Sequence, residues 1–192
     1  MDVKEAIEKR RAYRALGPVE INDGLMRELA AAAQLTASCF NNQPWKFVFA
    51  RSPGALAKVQ DCLSKGNDWA KKASLIVAAF ARKENDCVIK EREYYLFDLG
   101  QAVSALALRA TELGLVAHPI AGFDNEKVRL ALGIPEGNMV LTLINIGKKI
   151  EDLGALYPQQ AEAEASRPPR LALENIYSVD AYDEKLAVKV VH

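Results

Sequence analysis

The chain has 192 residues, half of them apolar, with 25 basic and 25 acidic side chains. That length supports one sizeable core, and the balanced charge argues against a general attraction to nucleic acid or anionic membranes. No apolar run reaches the roughly 20 residues of a membrane span, and the charged start, MDVKEAIEKRR, lacks the apolar core of a secretory signal. We therefore expect a cytoplasmic protein.

Helix and strand patterns alternate through the first half of the chain. Helices are predicted where a capping residue precedes apolar residues at helical spacing, and strands where large apolar residues alternate or form a short run. The predicted helices start at Asp2, Asp23 and Ser52-Pro53, the last reaching roughly Cys62, and the predicted strands cover residues 45–50 and 75–80. The second strand, LIVAAF, has the continuous apolar character of a strand buried on both faces.

The second half continues this alternation. A long helix is predicted over residues 94–113 with Gly114 as its stop. A short helix capped by Asp124 and closed by Gly133 follows, and residues 140–146, VLTLINI, form another buried strand. The order, which contains no internal repeat, predicts an α/β (α+β) fold.

The last part of the chain changes character. Residues 148–170 are polar, alanine-rich and punctuated by proline, and residues 176–179 and 186–191 are short β-favouring pieces with little neighbouring core. A terminal segment of this kind often packs on something other than its own domain. A partner subunit is the natural candidate, and a poorly ordered tail is the alternative.

Residues that build common catalytic or metal sites are scarce. The only histidines are His118 and His192, so a Ser-His-Asp triad or a histidine-rich metal site would be hard to assemble. The absence of GxGxxG and GxxxxGK[ST] argues against dinucleotide or triphosphate binding by those loops. Three cysteines are an odd number without CxxC spacing, so we expect neither a disulfide framework nor a zinc site. A catalytic role would therefore need chemistry supplied by a cofactor.

A cationic cluster, KRRAYR, stands at the end of the first predicted helix and contains Arg10, Arg11 and Arg14. It is either favourable charge at a helix C-terminus on a solvated face, or a phosphate clamp, because guanidinium groups bind phosphate oxygens in a fixed fork. A nucleic-acid site is the weaker alternative, since one cluster on a neutral chain makes a poor electrostatic footprint.

A second polar stretch, TASCFNNQPWKF over residues 36–47, sets three carboxamides in a row before Pro44. Carboxamides are costly to bury without partners and are not needed in a solvated loop. They indicate a planar ligand with hydrogen-bonding edges, although Asn41 and Asn42 could instead cap a turn before Pro44. Trp45 fits the apolar face of the following strand and is expected in the core.

Four segments occur together in a characteristic order and spacing: EAIEKRRAYRAL, ASCFNNQPWKFV, FDLGQAVSALALRATELGL and PIAGFDNEKVRLALGIPEG. This ordered set resembles the short form of the nitroreductase family of FMN-dependent NAD(P)H oxidoreductases, and RLALENIYSVDAY is similar to that family's closing motif. The resemblance spans about residues 3–182 and implies a central mixed, mainly antiparallel sheet flanked by helices. It further implies a domain over residues 1–170 and a C-terminal extension, residues 171–192, that packs on the partner subunit.

The function implied by the resemblance is a homodimeric enzyme with FMN at the subunit interface. Hydride would pass from NADH or NADPH to FMN and then, in a ping-pong cycle, to a small electron-poor acceptor such as a nitroaromatic or a quinone. Neither nucleic acid nor a membrane is an implied partner. Two alternatives stay open: a flavin carrier or sensor without redox turnover, and a specialised member that deiodinates, forms enamides or cleaves the flavin itself.

The resemblance also assigns cofactor contacts at the two ends of the chain. Arg10 and Arg170 would hold the 5′-phosphate, with Arg11 and Ala12 beside it, while Arg14 would approach the ribityl chain or the pyrimidine edge. The opposite subunit would contact the same FMN through Ser38, Cys39, Asn41 and Gln43.

A further set of contacts is implied near the middle of the chain. Asn67 falls where the family often has a pyrimidine-binding amide, although it could be a plain turn residue after Gly66. A turn formed by Pro119, Ile120, Ala121 and Gly122 would direct the backbone N–H groups of Ala121 and Gly122 at flavin N5 and O4. This chemistry requires no catalytic side chain.

Several positions depart from the family's pattern. Ala12 and Cys39 stand where serine is usual, Ala37 where proline is common, and Ala121 lacks the acidic side chain that some members carry. The loss of a phosphate hydrogen bond at Ala12 predicts weaker FMN binding without contradicting the identity of the cofactor.

Overall fold

The computed structural model describes residues 1–187 of the chain. The helices are α1 (Val3–Lys9), α2 (Asp23–Gln34), α3 (Pro53–Gln60), α4 (Tyr94–Glu112), α5 (Asn125–Ala131) and α6 (Pro158–Ala165). The strands are β1 (Leu16–Gly17), β2 (Lys46–Ala50), β3 (Leu75–Ala81), β4 (Val88–Ile89), β5 (Arg92–Glu93), β6 (Val116–Ile120) and β7 (Met139–Lys149). No helix within these residues combines the length and the apolar character that crossing a bilayer requires.

Strand β7 organises a five-stranded sheet. It pairs with β3 along one edge, and β2 lies outside β3; along its other edge it pairs with β6 and then with β1. Strands β4 and β5 form a separate hairpin. The predicted α/β fold with a mainly antiparallel sheet is confirmed. Every strand pairing among the described residues is antiparallel, so the parallel pairing that a mixed sheet would need is not found among them.

The register of the sheet puts β1 and the start of β2 at opposite ends of β7. Leu16 of β1 pairs with Lys149, the last residue of β7. Lys46 of β2 pairs with Phe80, and Phe80 pairs with Val140 near the first residue of β7. Since β7 has 11 residues, these two ends are separated by roughly 30 Å along the strand.

Helices cover both faces of the sheet and create two cores. Side chains of β3 alternate between them: Leu75, Val77 and Ala79 pack with α2 and α4, whereas Ile76, Ala78 and Phe80 pack with α3, α5 and the segment around Trp69. All seven residues of β3 are buried. Burial on both faces explains why this strand appears in the sequence as an unbroken apolar run.

Most predicted helix boundaries are confirmed by side-chain caps. Asp2, Ser52 and Asp124 accept the expected N–H hydrogen bonds at the starts of α1, α3 and α5. At α2 the cap is Asn22 rather than Asp23, which is the first helical residue. Gly114 follows α4 with a φ of 76°, a left-handed conformation that glycine adopts without a steric penalty.

The predicted turn at Pro119–Gly122 is wrong in its first half, and two segments of the tail differ from what their composition suggests. Pro119 and Ile120 belong to β6 rather than to a turn; proline is tolerated because β6 is an edge strand. The stretch 148–170 contains α6, whose alanine and glutamate residues favour a helix started by Pro158. Residues 176–179 form no strand. In the second β-favouring piece, Leu186 ends a 3₁₀ turn, and residues 188–191, like His192, lie outside the described part of the chain.

Candidate functional site

The arginine cluster begins at the C-cap of α1, Arg10, and continues into the segment between α1 and β1. Helix α1 stops at Lys9, and Arg10 already has a non-helical backbone (φ −59°, ψ 117°). Only Lys9 is in the last turn of α1, so the charge–dipole explanation of the cluster does not extend to the arginines. We call residues 10–15 the arginine turn.

Helix α6 fixes the arginine turn. The buried carboxylate of Glu164 accepts the backbone N–H groups of Arg14 (2.8 Å) and Ala15 (3.4 Å). The guanidinium of Arg11 donates to the carbonyl oxygens of Ala163 (3.0 Å) and Ser166 (2.6 Å). These contacts order the turn, and they commit the side chain of Arg11 to α6 rather than to a ligand.

Arg167 completes this support from the segment that follows α6. Its guanidinium donates to the backbone carbonyl oxygens of Glu8 and Arg10. Arg167 therefore fastens the chain before Arg170 onto the last turn of α1 and the first residue of the arginine turn. Arg167 and Arg10 are 157 residues apart in the sequence, so no local sequence pattern could have predicted this contact.

Five guanidinium groups surround one cavity of about 160 Å³, which we call the arginine cavity. Among residues 1–187, no carboxylate forms an ion pair with any of the five. Burial, and after it the charges of Arg167 and Arg170, lower the pKa of Arg10. Like charges crowded together, without acidic partners in the described part of the chain, give this cavity the chemistry that suits an anion. Its lining residues are Arg10, Arg11, Ala12, Arg14, Ala163, Arg167, Pro168 and Arg170.

Three of these arginines are available to a ligand. The guanidinium groups of Arg10, Arg14 and Arg170 make no hydrogen bond to protein within the described residues, whereas those of Arg11 and Arg167 do. The structure thus brings the predicted Arg10, Arg11, Ala12, Arg14 and Arg170 to one place, and it separates them into ligand-facing and supporting groups.

Asn67 and Gly122, predicted from separate segments, are in direct contact. The side-chain amide of Asn67 donates to the carbonyl oxygen of Gly122 at 3.0 Å, and the N–H of Ser64 donates to the same oxygen at 3.0 Å. The N–H groups of Ala121 and Gly122 have no acceptor among residues 1–187. This turn therefore presents two unpaired backbone donors beside an ordered carboxamide.

His118 and Trp69 connect this turn to the arginine turn. The two rings stack with centroids 4.5 Å apart, and the guanidinium of Arg14 lies 6.0 Å from the Trp69 ring. The Nδ1–H of His118 donates to the carbonyl oxygen of Tyr13 at 3.0 Å. Burial lowers the pKa of His118 to about 4, with a further contribution from the charges of Arg14 and Arg10, so the ring is neutral at pH 7.

Helix α6 also joins the two regions directly. The side-chain amide of Gln160 donates to the carbonyl oxygen of Gly66 at 2.8 Å, while Glu164 one turn later holds the arginine turn. Helix α6 therefore contacts both the arginine turn and the residue before Asn67.

The third predicted set lies on a loop between α2 and β2, residues 36–43, which we call the carboxamide loop. The Oγ of Ser38 accepts the N–H of Gln43 at 3.0 Å, and the Gln43 amide donates to the carbonyl and side-chain oxygens of Asn41. Asn42 contacts Asp86 instead (3.1 Å). As predicted, Trp45 is in the core, with 6% of its surface exposed.

The carboxamide loop and the arginine cavity are not brought together within one chain. The loop precedes Lys46, beyond the first residue of β7, and the arginine turn precedes Leu16, beyond the last residue of β7. The roughly 30 Å between these ends exceeds the reach of one nucleotide-sized ligand.

The cysteine prediction requires a correction. Cys39 of the carboxamide loop and Cys87 before β4 form a disulfide, with their Cα atoms 6.3 Å apart. Only Cys62, which is buried, is free. With three cysteines, one must stay unpaired, but the other two can still form a disulfide. Because Cys39 and Cys87 are 48 residues apart, no spacing motif in the sequence predicts that they pair.

The chain was compared with models of protein families and with known proteins. The model of the nitroreductase family matches residues 7–90 and 64–148. The NADH dehydrogenase of Thermus thermophilus is 26% identical over 183 residues, covering 79% of this chain and 89% of the relative.

Two solved structures share the fold. One, described as the oxidoreductase containing FMN, has a TM-score of 0.82 and 28% identity, covering 95% of this chain and 94% of that one. The other is a nitroreductase family protein from Clostridium novyi, with a TM-score of 0.74 and 23% identity, covering 82% of this chain and 93% of that one.

Proposed function

The chain belongs to the nitroreductase family, and from this premise we propose that it is an FMN-dependent oxidoreductase. The electron donor is NADH or NADPH, and the acceptor is a small electron-poor molecule such as a nitroaromatic or a quinone. The FMN-containing oxidoreductase of similar structure and the NADH dehydrogenase relative support both cofactors.

The arginine cavity is the observation that carries this proposal. FMN ends in a phosphate, and the cavity offers three guanidinium groups, at Arg10, Arg14 and Arg170, that have no hydrogen-bond partner within residues 1–187. Charge-assisted hydrogen bonds of this kind are about twice as strong as neutral ones. The residues present therefore fit the phosphate end of FMN, despite the missing hydroxyl at Ala12.

The rest of the surface fits a flavin ring. The unpaired N–H groups of Ala121 and Gly122 supply donors for a ring edge, and the Asn67 amide offers a donor and an acceptor for a pyrimidine. Bound FMN supplies two-electron hydride chemistry, which a side-chain base need not assist. The protein's role is to bind and orient the ring and to hold donors at its edge.

The opposite positions of the carboxamide loop and the arginine cavity support a shared site in a homodimer. A loop at one end of β7 can contact a ligand at the other end only if the loop belongs to a second chain. Residues 171–187 expose six large apolar side chains that a partner subunit could cover. Within the described residues, the side-chain hydrogen bonds of this segment stay inside the segment. Its exposed side chains are Leu171, Leu173, Ile176, Tyr177, Val179 and Tyr182.

The proposal is tested by comparing FMN with riboflavin, which lacks the phosphate. Arg170→Gln should weaken FMN binding by about tenfold or more, because a hydrogen bond to a charged group contributes roughly 1.5–3 kcal/mol, and should leave riboflavin binding unchanged. Arg27→Gln, on the exposed face of α2, is the control. Equal affinity of the wild type for FMN and riboflavin would contradict the phosphate site.

Redox function needs a separate measurement. Anaerobic NADH or NADPH should bleach the visible absorption of the FMN-loaded protein, and a nitroaromatic or quinone should restore it. A stable yellow complex that neither nucleotide bleaches would contradict the oxidoreductase and favour a flavin carrier or sensor.

A further inference from the structure

The Cys39–Cys87 disulfide connects two exposed segments, not two parts of a core. Cys39 begins the 3₁₀ turn of the carboxamide loop, and Cys87 precedes the β4–β5 hairpin. Both cysteines are only partly buried. The bond therefore fixes the position of a surface loop and adds nothing to either core.

The carboxamide loop needs external restraint to keep its conformation. Phe40, Asn41 and Gln43 have φ values of 48°, 59° and 49°, three left-handed residues within four positions and none of them glycine. Such residues persist only where surrounding contacts determine the backbone. Burial does not supply this restraint, because Phe40 is 84% exposed.

Contacts with two carboxylates accompany the disulfide. The N–H of Cys39 donates to the buried Asp98 at 2.7 Å, and the Asn42 amide donates to Asp86 at 3.1 Å. Asp86 also accepts the N–H of Cys87 at 2.8 Å. The segment before β4 thus holds the carboxamide loop through one hydrogen bond from Asn42 and one covalent bond.

The surroundings of the two sulfur atoms suit free thiols as well as a disulfide. The Sγ of Cys87 lies 3.6 Å from Oδ1 of Asp86, within reach of an S–H···O hydrogen bond. Oδ2 of Asp86 is buried and accepts no hydrogen bond from the described residues. Reduction would give the Sγ of Cys87 a hydrogen that it could donate to Oδ1 of Asp86.

A groove beside Cys39 offers a route by which a small thiol could approach the bond. The groove is shallow and has a volume of about 270 Å³. Ile89, Tyr94 and Phe97 line this groove together with the polar Asp98 and Gln101.

We propose that Cys39 and Cys87 form a reversible disulfide that locks the carboxamide loop, and that a dithiol-class reductant releases it. A thiolate of the reductant attacks one Sγ, the Sγ–Sγ bond breaks, and a mixed disulfide forms. The second thiol of the reductant then displaces the protein sulfur. Two electrons and two protons end on Cys39 and Cys87, and the reductant leaves as its cyclic disulfide. In a reducing cytoplasm such bonds are mostly transient and redox-sensing.

This inference goes beyond the proposed function, because its test needs no flavin. The air-oxidised and dithiothreitol-treated proteins are alkylated under denaturing conditions and weighed by mass spectrometry. We expect one alkylated cysteine, Cys62, in the oxidised protein and three in the reduced protein, with recovery of the oxidised form after the reductant is removed. Cys62→Ser should keep the transition and lose only its own label.

The release of the loop is measured by amide hydrogen exchange. Exchange in residues 36–43 should be at least about tenfold faster in the reduced protein, because locally opened segments exchange with little protection. Cys39→Ser/Cys87→Ser should exchange at the reduced rate even under oxidising conditions. Three labelled cysteines after air oxidation, a bond that dithiothreitol cannot cleave in the folded protein, or equal exchange in both forms would each overturn the proposal.

Discussion

Replacement of Glu164 tests whether α6 holds the arginine turn. The carboxylate is 6% exposed and accepts two N–H groups, those of Arg14 at 2.8 Å and Ala15 at 3.4 Å. Glutamine keeps the shape but has one acceptor oxygen, so Glu164→Gln leaves one N–H facing an amide donor. Losing a hydrogen bond to a charged group costs roughly 1.5–3 kcal/mol. At ~2–4 °C per kcal/mol for a chain of this size, Tm should fall by roughly 3–12 °C.

The assay is urea and thermal unfolding of the ligand-free protein, followed by circular dichroism. Glu162→Gln is the matched control, because Glu162 is an exposed residue of the same helix and surface substitutions usually change stability by less than about 0.5 kcal/mol. Glu164→Gln should also bind FMN more weakly than the wild type, because the backbone that carries Arg14 is no longer held in place. Equal unfolding midpoints for the two variants would show that Glu164 does not support the turn.

Three further predictions concern pH, the Asn67–Gly122 contact and the tail. The pKa of His118 is lowered to about 4 in the folded protein, from about 6.5 in the unfolded chain. Between these pH values the unfolded chain binds a proton at His118 that the folded protein does not, so the free energy of unfolding should fall by up to about 3 kcal/mol as the pH drops from 6.5 to 4. Urea titrations of His118→Gln should show a smaller fall. In Gly122→Ala the new Cβ would lie 2.2 Å from the Asn67 amide nitrogen, so the variant should lose that hydrogen bond and roughly 0.5–1.5 kcal/mol, whereas Gly100→Ala, with nothing within 4 Å, should be neutral or stabilising. Deletion of residues 171–192 should abolish dimerisation and FMN retention together, measured by light scattering and flavin content; a folded monomer with stoichiometric FMN would contradict the shared site.

Elements with strong local signals were predictable from the sequence. Asp2, Ser52 and Asp124 cap their helices as expected, because a capping side chain acts on N–H groups only two or three residues away. Strand β3 was recognisable because burial on both faces demands apolar residues throughout. Strand β6 was not, since the polar His118 and Pro119 interrupt its pattern, and only pairing with β7 makes it a strand.

The candidate site was predictable in composition but not in geometry. The sequence indicates that Arg10 and Arg14 are unusual, but nothing in it distinguishes their free guanidinium groups from that of Arg11, which α6 engages. Arg167 and Glu164 carry no motif and act through contacts about 150 residues away. The Cys39–Cys87 bond likewise depends on where the fold places two loops.

The length of β7 has a genetic consequence. In the proposed dimer each chain gives its arginine cavity to one site and its carboxamide loop to the other. A substitution that disables the cavity or the loop therefore damages both sites when the two chains carry the same substitution. Mixing chains that carry Arg170→Gln with chains that carry a defective Asn41 changes this outcome. In a mixed pair both defects fall in the same site, and the other site is assembled from two intact halves. Two inactive proteins should then complement each other after subunit exchange, which a strand short enough to hold both ends in one site would not allow.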